Sequence, residues 1–97
     1  MVVEVTPLLG VVAQELQLSE ADLVRQGMRA LVERQLLQVN AQVLEITGRY
    51  RVSSVAEMDA QYQAGTLQEN ASWRDYQRLD HLEFERDRLR ELVKALA

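Results

Sequence analysis

His81 is the only histidine among the 97 residues of this sequence, and its side chain is the one best suited to metal or proton chemistry. Glu85 follows four residues later, a spacing that places both side chains on one face of a helix. A structural zinc site needs four protein ligands and a catalytic site three, yet the sequence has no second histidine and no cysteine. The pair therefore predicts a surface histidine, and no metal site is expected.

Other kinds of catalytic site are missing from the sequence as well. There is no glycine-rich phosphate loop, and the carboxylates fall in highly charged segments where a solvated helix face explains them. We therefore expect no enzyme activity, no cofactor and no small-molecule substrate. With no cysteine, no signal peptide and no apolar run near the ~18 residues of a membrane span, the sequence predicts a cytoplasmic protein without membrane contact.

Helix-starting residues divide the first half of the chain. Residues 2–5 are mostly β-branched and predict a short extended segment. The pair Thr6-Pro7 predicts a first helix over about residues 7–16. Ser19 is a capping residue, so a second and much longer helix should run from there to about residue 47.

The second half of the chain reads as two more helices. Ser54 and Glu57 match a capping box for a short third helix, and Gly65 is placed to end it. A loop over 66–71 and a last helix capped by Ser72 should follow. The predicted fold class is mainly all-α: a short N-terminal extended segment, then a long central helix and a C-terminal helix that form a hairpin or bundle completed by dimerisation.

The central helix carries a heptad-like apolar stripe, which runs from Val32 to Tyr50. At 1.5 Å per residue the helix would be ~40 Å long, whereas a compact monomer of this size is only ~30–35 Å across. We therefore predict a homodimer within a single domain, 1–97, with a dimerising half at 1–49 and a partner-binding half at 50–97. The predicted dimer interface consists of Leu23, Gly27, Leu31, Val32, Leu36, Val39, Val43 and Ile46.

Aromatic residues are concentrated in the second half of the chain. Trp and Tyr anchor many protein interfaces, although they serve equally in small cores. Trp73 is slightly favoured as a core residue, while Tyr76 and Phe84 lie off the leucine stripe of the last helix and are better candidates for exposed contacts. The predicted partner-binding residues are Tyr62, Trp73, Tyr76, Leu79 and Phe84.

The order of an extended segment, a helix, the run Leu-Gln-Leu-Ser at 16–19 and a second helix resembles the ribbon-helix-helix fold of small bacterial repressors and antitoxins. The resemblance implies a dimeric ribbon in the major groove of DNA, with Val3, Val5 and Arg25 as DNA-contacting residues. Valine is not a base reader, and acidic residues at the start of the second helix would repel phosphates. A helical hairpin with a capped turn is therefore the favoured interpretation.

The whole chain resembles short prokaryotic antitoxin-like components of toxin–antitoxin pairs. The resemblance implies a half that dimerises and a half that wraps or blocks a small toxin protein, and a net charge of −4 suits a basic partner. A dimeric DNA-binding regulator and a structural helical dimer are the alternatives. The stretches that carry the resemblance are 18–27 (LSEADLVRQG), 49–58 (RYRVSSVAEM), 65–67 (GTL) and 72–76 (SWRDY).

Overall fold

The structure, a computed structural model, describes residues 5–97. Over this range the chain forms α1 (Val5–Leu16), α2 (Glu20–Tyr50), α3 (Val55–Gln63) and α4 (Glu69–Ala95), and it contains no strand. The predicted all-α class with a long central helix and a C-terminal helix is confirmed.

The structure describes one residue, Val5, of the extended segment predicted over residues 2–5, and this residue is helical. Val5 is the first residue of α1, and residues 2–4 lie outside the described range. The reason lies in the helical spacing of the apolar residues, because Val5, Leu8, Val12 and Leu16 form one continuous stripe.

A tight turn joins α1 to α2. Gln17 has a left-handed conformation with φ of 58°, and the Leu18 N–H donates a hydrogen bond of 2.9 Å to the Ala13 carbonyl, which satisfies the end of α1. The Ser19 hydroxyl accepts a hydrogen bond of 3.0 Å from the Asp22 N–H, so the predicted cap of α2 is confirmed. The first two helices are thus separated by three residues only.

α2 and α4 form an antiparallel hairpin, and α3 packs on the first half of α4. At one end of this hairpin Arg49 contacts Asp75, and at the other end Arg25 and Leu96 border the same groove. The heptad-like stripe of α2 faces α4, so both predicted halves of the chain contribute to one core. The buried apolar residues of this core are Val39, Val43, Ile46, Val52, Met58, Leu79, Leu82 and Leu89.

Polar contacts fix the ends of α3. The Ser54 hydroxyl accepts a hydrogen bond from the Glu57 N–H, and the Glu57 carboxylate accepts one from the Ser53 N–H in return. Glu83 of α4 accepts a hydrogen bond of 2.7 Å from the Val55 N–H, which places a carboxylate at the positive end of the α3 dipole. Gly65 follows α3 with φ of 75°, in agreement with the prediction.

α4 begins earlier than predicted, at Glu69, so the loop predicted over 66–71 is shorter and Ser72 is not its cap. Ser72 is instead almost completely buried in the first turn of the helix. Its hydroxyl donates a hydrogen bond of 2.7 Å to the Gln68 carbonyl and shares another with the Tyr62 hydroxyl. A serine that caps a helix and a serine that is buried inside its first turn give the same sequence pattern. Only the contact with Tyr62 shows that Ser72 is the buried kind.

The molecule is elongated. Its radius of gyration is 19.7 Å and its extents are 60 × 32 × 16 Å, whereas a compact chain of this length would have a radius of gyration of about 13 Å. The elongation follows from α2, which continues past the end of α4 and carries α1 at its far end.

Candidate protein-binding surfaces

Most residues of the predicted dimer interface serve the chain's own core. Val39, Val43 and Ile46 are buried under α4, and Val32 and Leu36 pack against the same core. The remaining three predicted positions are Leu23, which is half-buried near α1, and Gly27 and Leu31, which are exposed. The stripe that predicted a contact between two copies is therefore occupied by a helix of the same copy from Val32 onward.

The N-terminal arm, defined as residues 5–31, contributes almost nothing to the buried core. Its one buried residue is Ala13, and the end of α4 approaches only its last turns. The arm exposes eight large apolar side chains, although its helices carry the same kind of apolar spacing as the hairpin. These side chains are Val5, Leu8, Val11, Val12, Leu16, Val24, Met28 and Leu31.

The outer face of α4 carries two exposed aromatic residues, Trp73 and Phe84. Their side chains are 45% and 67% exposed. Eleven residues separate them, which is close to three helical turns, so both lie on the face that points away from α2. The ring of Trp73 stacks on Tyr76 with centroids 5.2 Å apart and planes 15° apart. The slight preference for Trp73 as a core residue is wrong, because the inward positions of this turn are taken by Ser72 and Tyr76.

The other predicted partner-binding residues are less accessible. Leu79 is completely buried in the core, so it cannot contact a partner unless the hairpin opens. Tyr62 and Tyr76 are half-buried and make an edge-to-face contact with ring centroids 5.4 Å apart. Together with Trp73 they form a small aromatic cluster, which joins α3 to the start of α4.

A polar clasp fastens the end of α2 to α4. One carboxylate oxygen of Asp75 accepts hydrogen bonds from the Tyr50 hydroxyl at 2.5 Å and from the Arg49 guanidinium at 2.7 Å. The hydrogen bond from Tyr50, followed by that from Arg49, lowers the pKa of Asp75. The same carboxylate raises the pKa of Tyr50. The sequence gives no signal for this clasp, because nothing in the local pattern pairs Tyr50 with a residue 25 positions away.

The residues that could bind a metal ion do not cluster in the part of the chain that the structure describes. His81 is exposed, and its ring Nε2 lies 3.9 Å from a carboxylate oxygen of Glu85. Across residues 5–97 no three His, Asp or Glu side chains are grouped so that they could hold a metal ion. None of the helices in this range has the length and apolar character required to cross a bilayer.

The residues predicted to contact DNA do not form a basic surface in the part of the chain that the structure describes. Val5 is exposed at the start of α1, and Val3 lies outside the described residues. The Arg25 guanidinium donates a hydrogen bond of 2.9 Å to Asp22, so its charge is compensated within its own helix. DNA binding remains a prediction from the sequence.

A family model described as the Uncharacterized protein MJ0235 family matches residues 1–97. The chain belongs to this family. The match covers the N-terminal arm and the hairpin alike, so both regions are parts of the family's common chain. Neither a curated protein nor a solved structure matches the sequence.

Proposed function

We propose that this chain is a protein-binding module without catalytic chemistry of its own, and that it binds its partner through the outer face of α4. The observation that carries the proposal is the exposure of Trp73 and Phe84 on one face of a helix whose opposite face buries Leu79, Leu82 and Leu89. Large aromatic side chains in water mark contact sites more often than single exposed leucines do. A partner that covers both rings would engage about three turns of α4.

The partner class that we propose is a small toxin protein, so that the chain acts as the antitoxin-like component of a pair. The resemblance of residues 49–58 and 72–76 to such proteins supports this, and the second of these stretches contains the exposed Trp73. The net charge of −4 supports a basic partner. α4 itself has nearly balanced charges, so the aromatic contacts would supply most of the affinity and the overall charge would speed the encounter.

The test uses the protein encoded by the adjacent gene, co-expressed and purified with this chain. Trp73 is the only tryptophan in the sequence and is exposed, so its emission should shift to shorter wavelength when a partner covers it. We expect Phe84→Ala to weaken binding roughly 10-fold to 100-fold, the usual range for an aromatic anchor. Neutralisation of the partner's toxicity should weaken in parallel.

Leu44→Ala is the matched control, because Leu44 is 70% exposed but lies on α2, on the face that points away from α4. This variant should bind as the wild type does. Equal binding by Phe84→Ala and the wild type would contradict the proposal. Truncation after Tyr50 is a poorer test, since it removes α4 and with it one side of the core.

A further inference from the structure

The N-terminal arm has two apolar stripes that nothing in the described chain covers. On α1, Val5, Leu8, Val12 and Leu16 follow each other at spacings of three and four residues, and all four are exposed. On α2, Val24, Met28 and Leu31 repeat the same spacing and are exposed as well. The two stripes are about 16 Å and 10 Å long at 1.5 Å per residue, so either can lie along the other.

We propose that a second copy of this chain covers the arm, with the α1 stripe of each copy against the α2 stripe of its partner. Two arms joined in this way form a four-helix arrangement with a two-fold axis, in which each contact occurs twice. The hairpins then project from opposite ends of the dimer and leave the outer face of α4 free. This inference concerns a different surface from the proposed partner site and does not rest on it.

Area and charge both favour a second copy as the occupant. The seven side chains of the two stripes are roughly half-exposed and offer on the order of 600 Å² per copy, which is the lower end of the ~600–1,000 Å² per partner of a standard interface. The arm carries three acidic and two basic residues, so two copies meet without strong repulsion. α1 has a single charged residue, Glu15, and therefore gives a charged partner little to recognise.

Gly27 leaves the backbone of α2 accessible in the arm. A Cβ added at Gly27 would meet no atom within 4 Å, which leaves open space beside Met28 and Leu31. A glycine at such a position lets a second helix approach the backbone of α2 closely. In the proposed dimer, α1 of the second copy would approach α2 at this glycine.

The test is sedimentation equilibrium of the full chain at tens of micromolar. The wild type should have the mass of a dimer, and Leu8→Asp should raise the dissociation constant at least roughly 100-fold, because each interface would bury two unpaired carboxylates. Leu44→Asp is the matched control on an equally apolar but unrelated surface, and it should remain dimeric. Circular dichroism checks that both variants keep their helices.

Mixing two defective variants tests the pairing itself. Leu8→Asp spoils the α1 stripe and Met28→Asp spoils the α2 stripe, so each variant alone has no intact contact. A mixture contains pairs with one intact α1–α2 contact, and it should dimerise more tightly than either variant. A monomeric wild type, an equal loss with Leu44→Asp, or a mixture no tighter than its components would overturn the proposal.

Discussion

The N-terminal arm and the hairpin, here residues 32–97, use similar sequence patterns with different results. Apolar residues at spacings of three and four line α2 on both sides of Val32. The stripe from Val32 to Tyr50 packs against α4, whereas Val24, Met28 and Leu31 are exposed. The end of α4 does reach these turns of the arm, but Leu96 and Ala97 share their groove with mostly polar residues and with none of these three apolar side chains. The residues of α2 that border this groove are Arg25, Gln26, Arg29, Ala30 and Glu33. Periodicity thus shows which face of a helix is apolar, and the position of a neighbouring helix decides whether that face is covered.

The same contrast has a consequence for stability. The hairpin holds all the buried residues except Ala13, and its clasp and its buried Ser72 add hydrogen bonds across the helices. The arm has one short turn and a single buried residue, Ala13, with Leu9 and Leu23 half-buried. We therefore expect the free energy of unfolding to come almost wholly from the hairpin, as the following substitutions can show.

The largest difference in the free energy of unfolding is expected between alanine substitutions of a hairpin leucine and of an arm leucine. Leu79→Ala removes a completely buried side chain and should lower the free energy of unfolding by about 2–5 kcal/mol, because it leaves a cavity in the core. Leu8→Ala in the arm should change it by less than about 0.5 kcal/mol in solutions dilute enough for the chain to be monomeric. Urea denaturation measures both, and similar losses would show that the arm is part of the cooperative unit.

The clasp should make the hairpin sensitive to acid. The pKa of Asp75 is lowered in the folded state, so its contribution is present above the ordinary pKa of an aspartate, near 4, and is lost as the pH falls through the folded value. Asp75→Asn should remove about 1–2 kcal/mol near neutral pH. The variant should also lose this part of the pH dependence, which denaturation at pH 7 and below pH 4 would measure. An unchanged acid profile would contradict the assignment.

One residue of the arm and one of the hairpin have a left-handed backbone conformation, so that a glycine substitution can be compared between the two regions. Arg51, after α2, has φ of 54°, and Gln17, after α1, has φ of 58°. Glycine adopts this conformation without a Cβ clash, so Arg51→Gly should raise the free energy of unfolding by about 0.5–1 kcal/mol. Gln17→Gly should slow amide exchange in α1 and leave the global transition nearly unchanged. An equal global gain at both sites would argue against the contrast between the regions.

The smallest effect is expected for an ion pair at the junction of the arm and the hairpin. Arg29 and Glu33 form a contact of 2.8 Å between side chains that are each nearly half-exposed. Arg29→Ala should lower the free energy of unfolding by about 0.3–0.5 kcal/mol, since water and salt screen such pairs. The loss should shrink further in 1 M salt, and thermal denaturation with and without salt would detect it.

Much of the local structure could be predicted from the sequence. Ser19 and the pair Ser54 and Glu57 mark helix starts by chemistry that acts within a few residues, and the structure contains both caps. Ser72 shows where this reasoning fails, because a serine followed by helix-forming residues looks like a cap whether or not the helix has already begun. Of the candidate contact residues, Phe84 lies off the leucine stripe and is exposed, in agreement with the prediction. The prediction of Trp73 as a core residue is wrong, because burial within one turn depends on which residues of other helices pack there.

The sequence by itself determined that this protein is helical, where α2 and α3 begin, and which faces of the helices are apolar, since these properties depend on residues a few positions apart. The tertiary structure alone decided that α4 covers the stripe from Val32 to Tyr50 and that Asp75 clasps the end of α2. It also decided that the arm and the outer face of α4 remain exposed. These features depend on where distant helices begin and end relative to one another, and no local spacing encodes that.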